Sequence, residues 1–452
     1  MGIAYEITDP VFGRCAHPVT CGMGLTIGQG LVYPEVNYTL PAFRLSQETL
    51  GDVRSEFKEM VSKILSRSRE LGVPGLVLEF EQPFELTLNA EWGALITADH
   101  KELMRKFHDE TGIPCALRVT IADIRDKTRP PRMRSGDEIK RMLDAFRLCA
   151  EAGADILSIE STGGKEITDE ALTEGDIKGV LFGMGVLGGA DMAFLWKAIV
   201  DISAKAGVVA GADSACGFGN TAMRLADMGY IPKVFAALVR AASAARSLVA
   251  FEQGAVGPSK DCAYEGIYLK ALLGIPIALE GKSAACAHFS HIGNIASAYC
   301  DLWSNESVQN VKLLSGYAPE VCAEMLAYDC RLMNEATRRG EAGRLRDWLV
   351  AGDAGLDPQA YVLGPAVVRA VAEALASEKT CYARSRAAAL AAAELLAKGI
   401  GAGELKISKR EQAWMDRVRS EIEGLPTDEA AFIRQTLPEY KDRFLPAEYG
   451  IS

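Results

Sequence analysis

The run Gly207-Val-Val-Ala-Gly-Ala-Asp-Ser-Ala-Cys-Gly-Phe-Gly-Asn-Thr221 reads as a strand, a tight glycine turn and the start of a helix. The segment 207–211 is short, apolar and β-like. After the glycines, 222–228 is amphipathic and stops at Gly229. This order puts the Cys216 thiol at the carboxyl end of a strand, where α/β folds place their ligands. Two other stretches have the same character. Gly257-Pro-Ser-Lys-Asp-Cys-Ala-Tyr-Glu-Gly266 carries Cys262 in a loop ahead of an apolar helix from Ile267. Ala154-Asp-Ile-Leu-Ser-Ile-Glu-Ser161 is a buried-type strand that ends on Glu160.

Outward from these stretches the pattern repeats. Strands are expected over 73–80, 115–121 and 275–280, with Pro276 confining the last to a strand start or an edge. Amphipathic helices are expected over 47–71, 97–111 and 137–152. Alternation with short turns predicts a parallel sheet, and so many units in one segment favour a (β/α)8 barrel over an open sheet. Residues 1–70 show few periodic signals and read as an N-terminal extension. The barrel is assigned to 71–350, with helical patterns from Ser304 onward (308–314, 319–336). Residues 351–452 read as a helical C-terminal appendage, with helices over 365–377, 382–398, 411–425 and 430–437.

The 452 residues suffice for a large core; 49% are hydrophobic and 24% charged. A net charge of −11 argues against nucleic acid as a main partner, because phosphate binding needs a basic face. The longest apolar run, 179–190, is short and glycine-rich for a membrane span. No basic-then-apolar leader opens the chain, and eleven cysteines, an odd number, fit a reduced cytoplasmic compartment.

Two thiols and a carboxylate, each at the end of a different strand or loop, could converge on one metal. Singly, each has a plain structural reading: a Cys in apolar context is usually a core residue, and a Glu ending a strand usually caps a helix or faces water. Their shared position at strand ends, and the Gly, Asp, Asn and Ser around the two cysteines, favour a site. Zinc suits such a donor set, and three protein ligands leave a position open for a substrate oxygen. Cys15, His17 and Cys21 resemble half a zinc site without a partner pair, so a loop is the better reading. Cys115, Cys149, Cys322, Cys330 and Cys381 read as core. Cys286, Cys300, His288 and His291 form a loose cluster read as mostly structural. Gly183-Met-Gly-Val-Leu-Gly188 matches a dinucleotide fingerprint, but the acid expected downstream, Asp201, falls in a helical pattern, so a flexible loop is preferred.

Longer runs point to one family. Asp213-Ser-Ala-Cys-Gly-Phe-Gly-Asn-Thr-Ala-Met223, Ile231-Pro-Lys-Val-Phe-Ala236, Arg246-Ser-Leu-Val-Ala-Phe-Glu252, 254–268, Ile292-Gly-Asn-Ile-Ala296, 300–314 and Asp357-Pro-Gln-Ala-Tyr-Val-Leu363 resemble the zinc subunit of the methanol:corrinoid methyltransferases. The match spans most of the chain and is densest over 205–315. The resemblance implies a (β/α)8 barrel and one Zn2+ held by Glu160, Cys216 and Cys262. It also implies transfer of the methyl group of methanol to the Co(I) corrinoid of a partner corrinoid protein, within methanogenesis or acetogenesis, by a chain that forms a homodimer in the larger complex. The chain itself has no corrinoid-binding Asp-x-His-x-x-Gly signature, so the partner is expected to carry that cofactor. Asp213, Asp261, Tyr264 and Glu265 are open candidates for protonating the departing oxygen. The same chemistry on a methoxylated compound or a methylamine, and a non-catalytic scaffold that docks the corrinoid protein, are the alternatives. A dinucleotide-dependent oxidoreductase ranks last.

Overall fold

The structure is a computed structural model that describes residues 3–6, 9–39, 45–282, 284, 289–308 and 319–451, with backbone only for 261 and 305–308. An antiparallel hairpin, β1 (Arg14–Cys21) and β2 (Leu25–Gln29), precedes eight parallel strands: β3 (Tyr33–Thr39), β4 (Leu76–Glu81), β5 (Cys115–Ile121), β6 (Ile156–Ile159), β7 (Val209–Asp213), β8 (Ser259–Asp261), β9 (Ile277–Glu280) and β10 (Leu302–Val308). Their order is β7-β6-β5-β4-β3-β10-β9-β8. The remaining gap closes where the amides of Val256 and Gly257, just before β8, donate to the carbonyls of Ala210 and Gly211 in β7 at 2.9 and 2.8 Å. Helices cover the outside, as a parallel sheet requires. The (β/α)8 expectation holds.

Residues that alternate along the strands fill the barrel in tiers, because successive side chains point to opposite faces. At the amino end Tyr33, Val77, Ala116, Ile156, Ala278 and Leu302 pack with Cys21, Leu25 and Ile27 of the hairpin into an apolar plug. Two residues further along each strand the interior turns polar. Arg118 donates to Glu35 at 2.6 Å and to Ser158 at 2.8 Å, and Thr120 donates to Glu79 at 2.6 Å. Higher still come Asn37 and Glu81, joined at 2.9 Å. The barrel is therefore apolar at its base and charged at its carboxyl end.

Several elements differ from the sequence reading. The first barrel strand, β3, lies inside the segment read as an extension. Its alternation of Glu35, Asn37 and Thr39 with Val36 and Tyr38 is that of a strand with a polar barrel face. Over Ser304–Val308 the chain is extended, not helical: β10 pairs with β3 residue for residue over Leu302–Val308, so pairing overrides the weak strand propensity of Ser-Asn-Glu-Ser. The rest of the helix expected over 308–314 lies outside the described residues, and the one expected over 319–336 is present as Pro319–Arg338. Cys15, His17 and Cys21 lie on β1 rather than in a loop.

The Gly183 fingerprint is neither a loop nor preceded by a strand. Ile177–Val180, a wholly buried π-helical segment Leu181–Gly188 and Gly189–Ala206 run together as one helix. Its glycines serve close packing: a Cβ on Gly189 would lie 2.8 Å from Cys381 Sγ. No phosphate-binding turn exists here. This 30-residue run and Lys233–Glu252 are long and apolar enough to cross a membrane, but 83% and 94% of their most apolar windows are buried in the fold.

The C-terminal helices pack on the barrel. Cys381–Gly401 lies along Lys233–Glu252, and Pro365–Ser377 along Gly266–Leu273. The chain end returns to the loop after β6, where the Tyr449 hydroxyl accepts from the Gly164 amide at 3.0 Å and donates to Glu166 at 2.6 Å.

Candidate metal centre

Three neighbouring connections at the carboxyl end of the barrel carry the donor groups. Glu160 follows β6 directly. Cys216 opens a short π-turn, Cys216–Asn220, three residues after β7, and Cys262 follows β8. One donor atom from each lies within 4.8 Å of the others, and no other group of three or more potential ligands gathers this way among the described residues. Cys262 Sγ is 3.5 Å from Glu160 Oε1. Tetrahedral zinc with its usual bond lengths separates S and O donors by about 3.5 Å, the spacing of this pair, so the donor set is compatible with one ion. The chemistry of the donors fits as well: two sulfurs and a carboxylate oxygen select zinc over the hard, all-oxygen cations.

The surroundings explain how these side chains are held. Asn220 donates to Cys216 Sγ at 3.3 Å, and the Cys262 amide donates to Ser214 Oγ at 3.3 Å. Glu265 ties the two thiol loops together: its Oε1 accepts from the Ala215 amide at 2.6 Å and from the Ser247 hydroxyl at 2.8 Å. Burial and the neighbouring Cys216, Glu160 and Glu280 push the Cys262 thiol well above its usual range. Burial also raises Glu160, with Lys260 opposing it and Glu81 adding to it. A cavity of about 630 Å³ opens onto Glu160 and Gly217, bounded by Glu81, Phe84, Ile121 and Asp123.

The four candidate proton donors occupy different places. Asp213 is buried on the outer side of the barrel wall, accepting from Ser161 Oγ at 2.5 Å and Trp196 Nε1 at 3.1 Å, with Arg246 at 3.6 Å. Tyr264 is buried in a left-handed conformation, φ +63°, with the Arg240 guanidinium 5.5 Å from its ring centre. Glu265 carries the loop contacts above. The Asp261 side chain lies outside the described residues. Of the loose cluster, Cys286 and His288 also lie outside them, Cys300 is buried, and His291 meets Asp357 at 3.1 Å. Cys115, Cys149, Cys322 and Cys330 are buried and Cys381 partly so.

Sequence reading missed Lys260, Glu79 and Glu81. Lys260 is 3% exposed, and its ammonium sits 3.1 Å from Glu79, 2.9 Å from Glu81 and 3.1 Å from Glu160. Two signals were available: acids at every second position of the apolar run Leu76-Val-Leu-Glu-Phe-Glu81, and a lysine two residues before Cys262.

Comparison with known proteins agrees with this architecture. A family model described as "Methanol-cobalamin methyltransferase B subunit" (MtaB) matches residues 2–450. A methanol–corrinoid protein co-methyltransferase of Methanosarcina barkeri (strain Fusaro / DSM 804) is 39% identical over 458 residues, covering 99% of this chain and 98% of that protein. A crystal structure of the methanol:cobalamin methyltransferase complex MtaBC from Methanosarcina barkeri is similar at 36% identity with a TM-score of 0.92, covering all of this chain and 99% of that one. The protein belongs to the methanol-cobalamin methyltransferase B subunit family.

Proposed function

We propose that this chain transfers the methyl group of methanol to the Co(I) corrinoid of a separate corrinoid protein, with zinc held by Glu160, Cys216 and Cys262. The observation that carries the reading is the convergence of those three donors at the carboxyl-end face of the barrel. In the net reaction the C–O bond of methanol breaks, a C–Co bond forms with both electrons from Co(I), and the oxygen leaves as water after taking up a proton. Zinc, when bound, supplies Lewis-acid polarisation of the alcohol oxygen, which makes an otherwise poor leaving group competent.

The chain's own residues set up that step. The buried walls around Glu160 and Cys262 lower the local dielectric and strengthen every charge interaction there. Glu265, by joining the Ala215 and Cys262 loops, fixes the distance between the thiols. At about 630 Å³ the cavity is far larger than methanol needs and falls in the size range of small-molecule sites. Under this reading its outer part receives the corrinoid face. The same width favours a second reading, in which the donor is a methoxylated compound or a methylamine. A homodimer within the assembly is proposed from the resemblance and is tested by mass in solution.

The deciding assay is formation of methylcobalamin from methanol and cob(I)alamin, followed by absorbance, with zinc, after chelation, and with Cys216→Ala. Zinc-dependent turnover that the substitution abolishes supports the proposal. Turnover with a methoxylated donor or methylamine but not methanol selects the second reading. Absence of bound zinc from the purified protein removes the metal centre and the mechanism together.

A further inference from the structure

We infer that Lys260 is a positioning residue for the metal centre: its ammonium fixes the Glu160 carboxylate in the orientation from which it binds the ion. The inference rests on the metal reading proposed above.

Among the described residues, Lys260 is one of two cations buried in the barrel interior among Glu35, Glu79, Glu81 and Glu160, the other being Arg118. Arg118 is spent on Glu35, Ser158 and the Pro258 carbonyl, one tier below. Lys260 stands in the tier that touches the donors. Its three carboxylate contacts come from β4 twice and from the end of β6, so it clamps two strand ends to the β8 loop that carries Cys262. Two of the three acids are themselves held: Glu79 by Thr120 and Glu81 by Asn37. The ammonium is therefore fixed by an anchored pair and in turn fixes the third acid, Glu160. Glu160 Oε1, the atom 3.1 Å from Lys260, is also the atom 3.5 Å from Cys262 Sγ. Groups that bond to a metal ligand orient it and tune how strongly it donates.

A point charge on a flexible stem suits a three-carboxylate nest better than a planar fork. Lys260→Arg is expected to restore the charge but only part of the geometry.

The test uses the full-length protein loaded with Co2+ in place of zinc, whose visible bands report ligand geometry without any turnover. Wild-type protein should show a thiolate-to-cobalt band from Cys216 and Cys262. Lys260→Met is expected to keep that band, shift the ligand-field bands, and weaken metal binding about 10- to 100-fold, with Lys260→Arg in between. The triple variant Lys260→Met/Glu79→Gln/Glu81→Gln removes the unpaired acids created by loss of the lysine. It should show the same shift, and it serves where the single variant does not fold. Ligand-field bands and affinity equal to wild type in either methionine variant overturn the role of Lys260 while leaving the metal centre standing. Absence of a thiolate band in the wild type overturns the metal centre itself, and this role with it.

Discussion

Glu265 offers the sharpest quantitative test of how the two thiol loops are held. Its Oε1 accepts from the Ala215 amide and the Ser247 hydroxyl, and all three residues are buried. Replacing it with alanine orphans two buried donors at about 1–3 kcal/mol each, hence about 2–6 kcal/mol in total. Glutamine keeps the shape but exchanges charge-assisted bonds for neutral ones, a loss of about 2–3 kcal/mol over the pair. Because Ala215 immediately precedes Cys216, the loss should appear first as local opening. Hydrogen exchange of the segment 209–220 is therefore the assay. The low end of the alanine range corresponds to roughly 30-fold faster exchange there, while the hairpin β1–β2, at the opposite end of the barrel, stays unchanged. Exchange within threefold of wild type in folded Glu265→Ala would refute the loop-tying argument. Unchanged exchange together with lost turnover in Glu265→Gln would instead make this carboxyl a proton donor.

The remaining predictions concern stability and access. Burial lowers the His100 pKa to about 3, against an ordinary value near 6.5, in a cluster with Tyr38, Phe57 and Phe80. The unfolded chain then binds the extra proton between those values. Stability from the neutral ring is complete above about pH 6.5 and falls as pH drops, by about 2 kcal/mol at pH 5. His100→Phe should flatten that part of a denaturation-versus-pH curve, and an unchanged slope would count against it. Arg246, wholly buried, donates to the Ser161 carbonyl at 2.7 Å and packs 4.6 Å from the Phe218 ring centre. Arg246→Ala leaves buried Asp213 without its cation and should cost about 3–5 kcal/mol in denaturant titration; a loss below 1 kcal/mol would show that the contact is dispensable. On chelation, the partly exposed Cys216 should react with a thiol reagent well before the buried Cys262, and zinc should protect both. Equal labelling rates with and without zinc would argue that the thiols are not ligands.

Much was legible in the residues themselves. Strand–turn–helix periodicity located β5 and the helix Asp137–Ala152 to the residue, because a mostly apolar strand and an amphipathic helix capped by Gly153 carry strong local signals. The same signals put Glu160, Cys216 and Cys262 at strand ends. What they could not show was any feature whose meaning depends on a distant partner. β3 and β10 have polar, unremarkable sequences and become strands because each supplies the other's hydrogen bonds and closes the ring. The glycines at 183–189 look like a nucleotide loop until neighbouring helices are seen to need the space.

By itself, then, the sequence determined the parallel α/β alternation and the family, and it singled out the three proposed donor residues, since all of these reside in local patterns and in long matching runs. The tertiary structure alone decided that residues 102 positions apart, Glu160 and Cys262, stand 3.5 Å from each other. It also decided that Lys260 reaches back across the barrel to Glu79 and Glu81. Ring closure sets those distances, and no local preference of the chain encodes them.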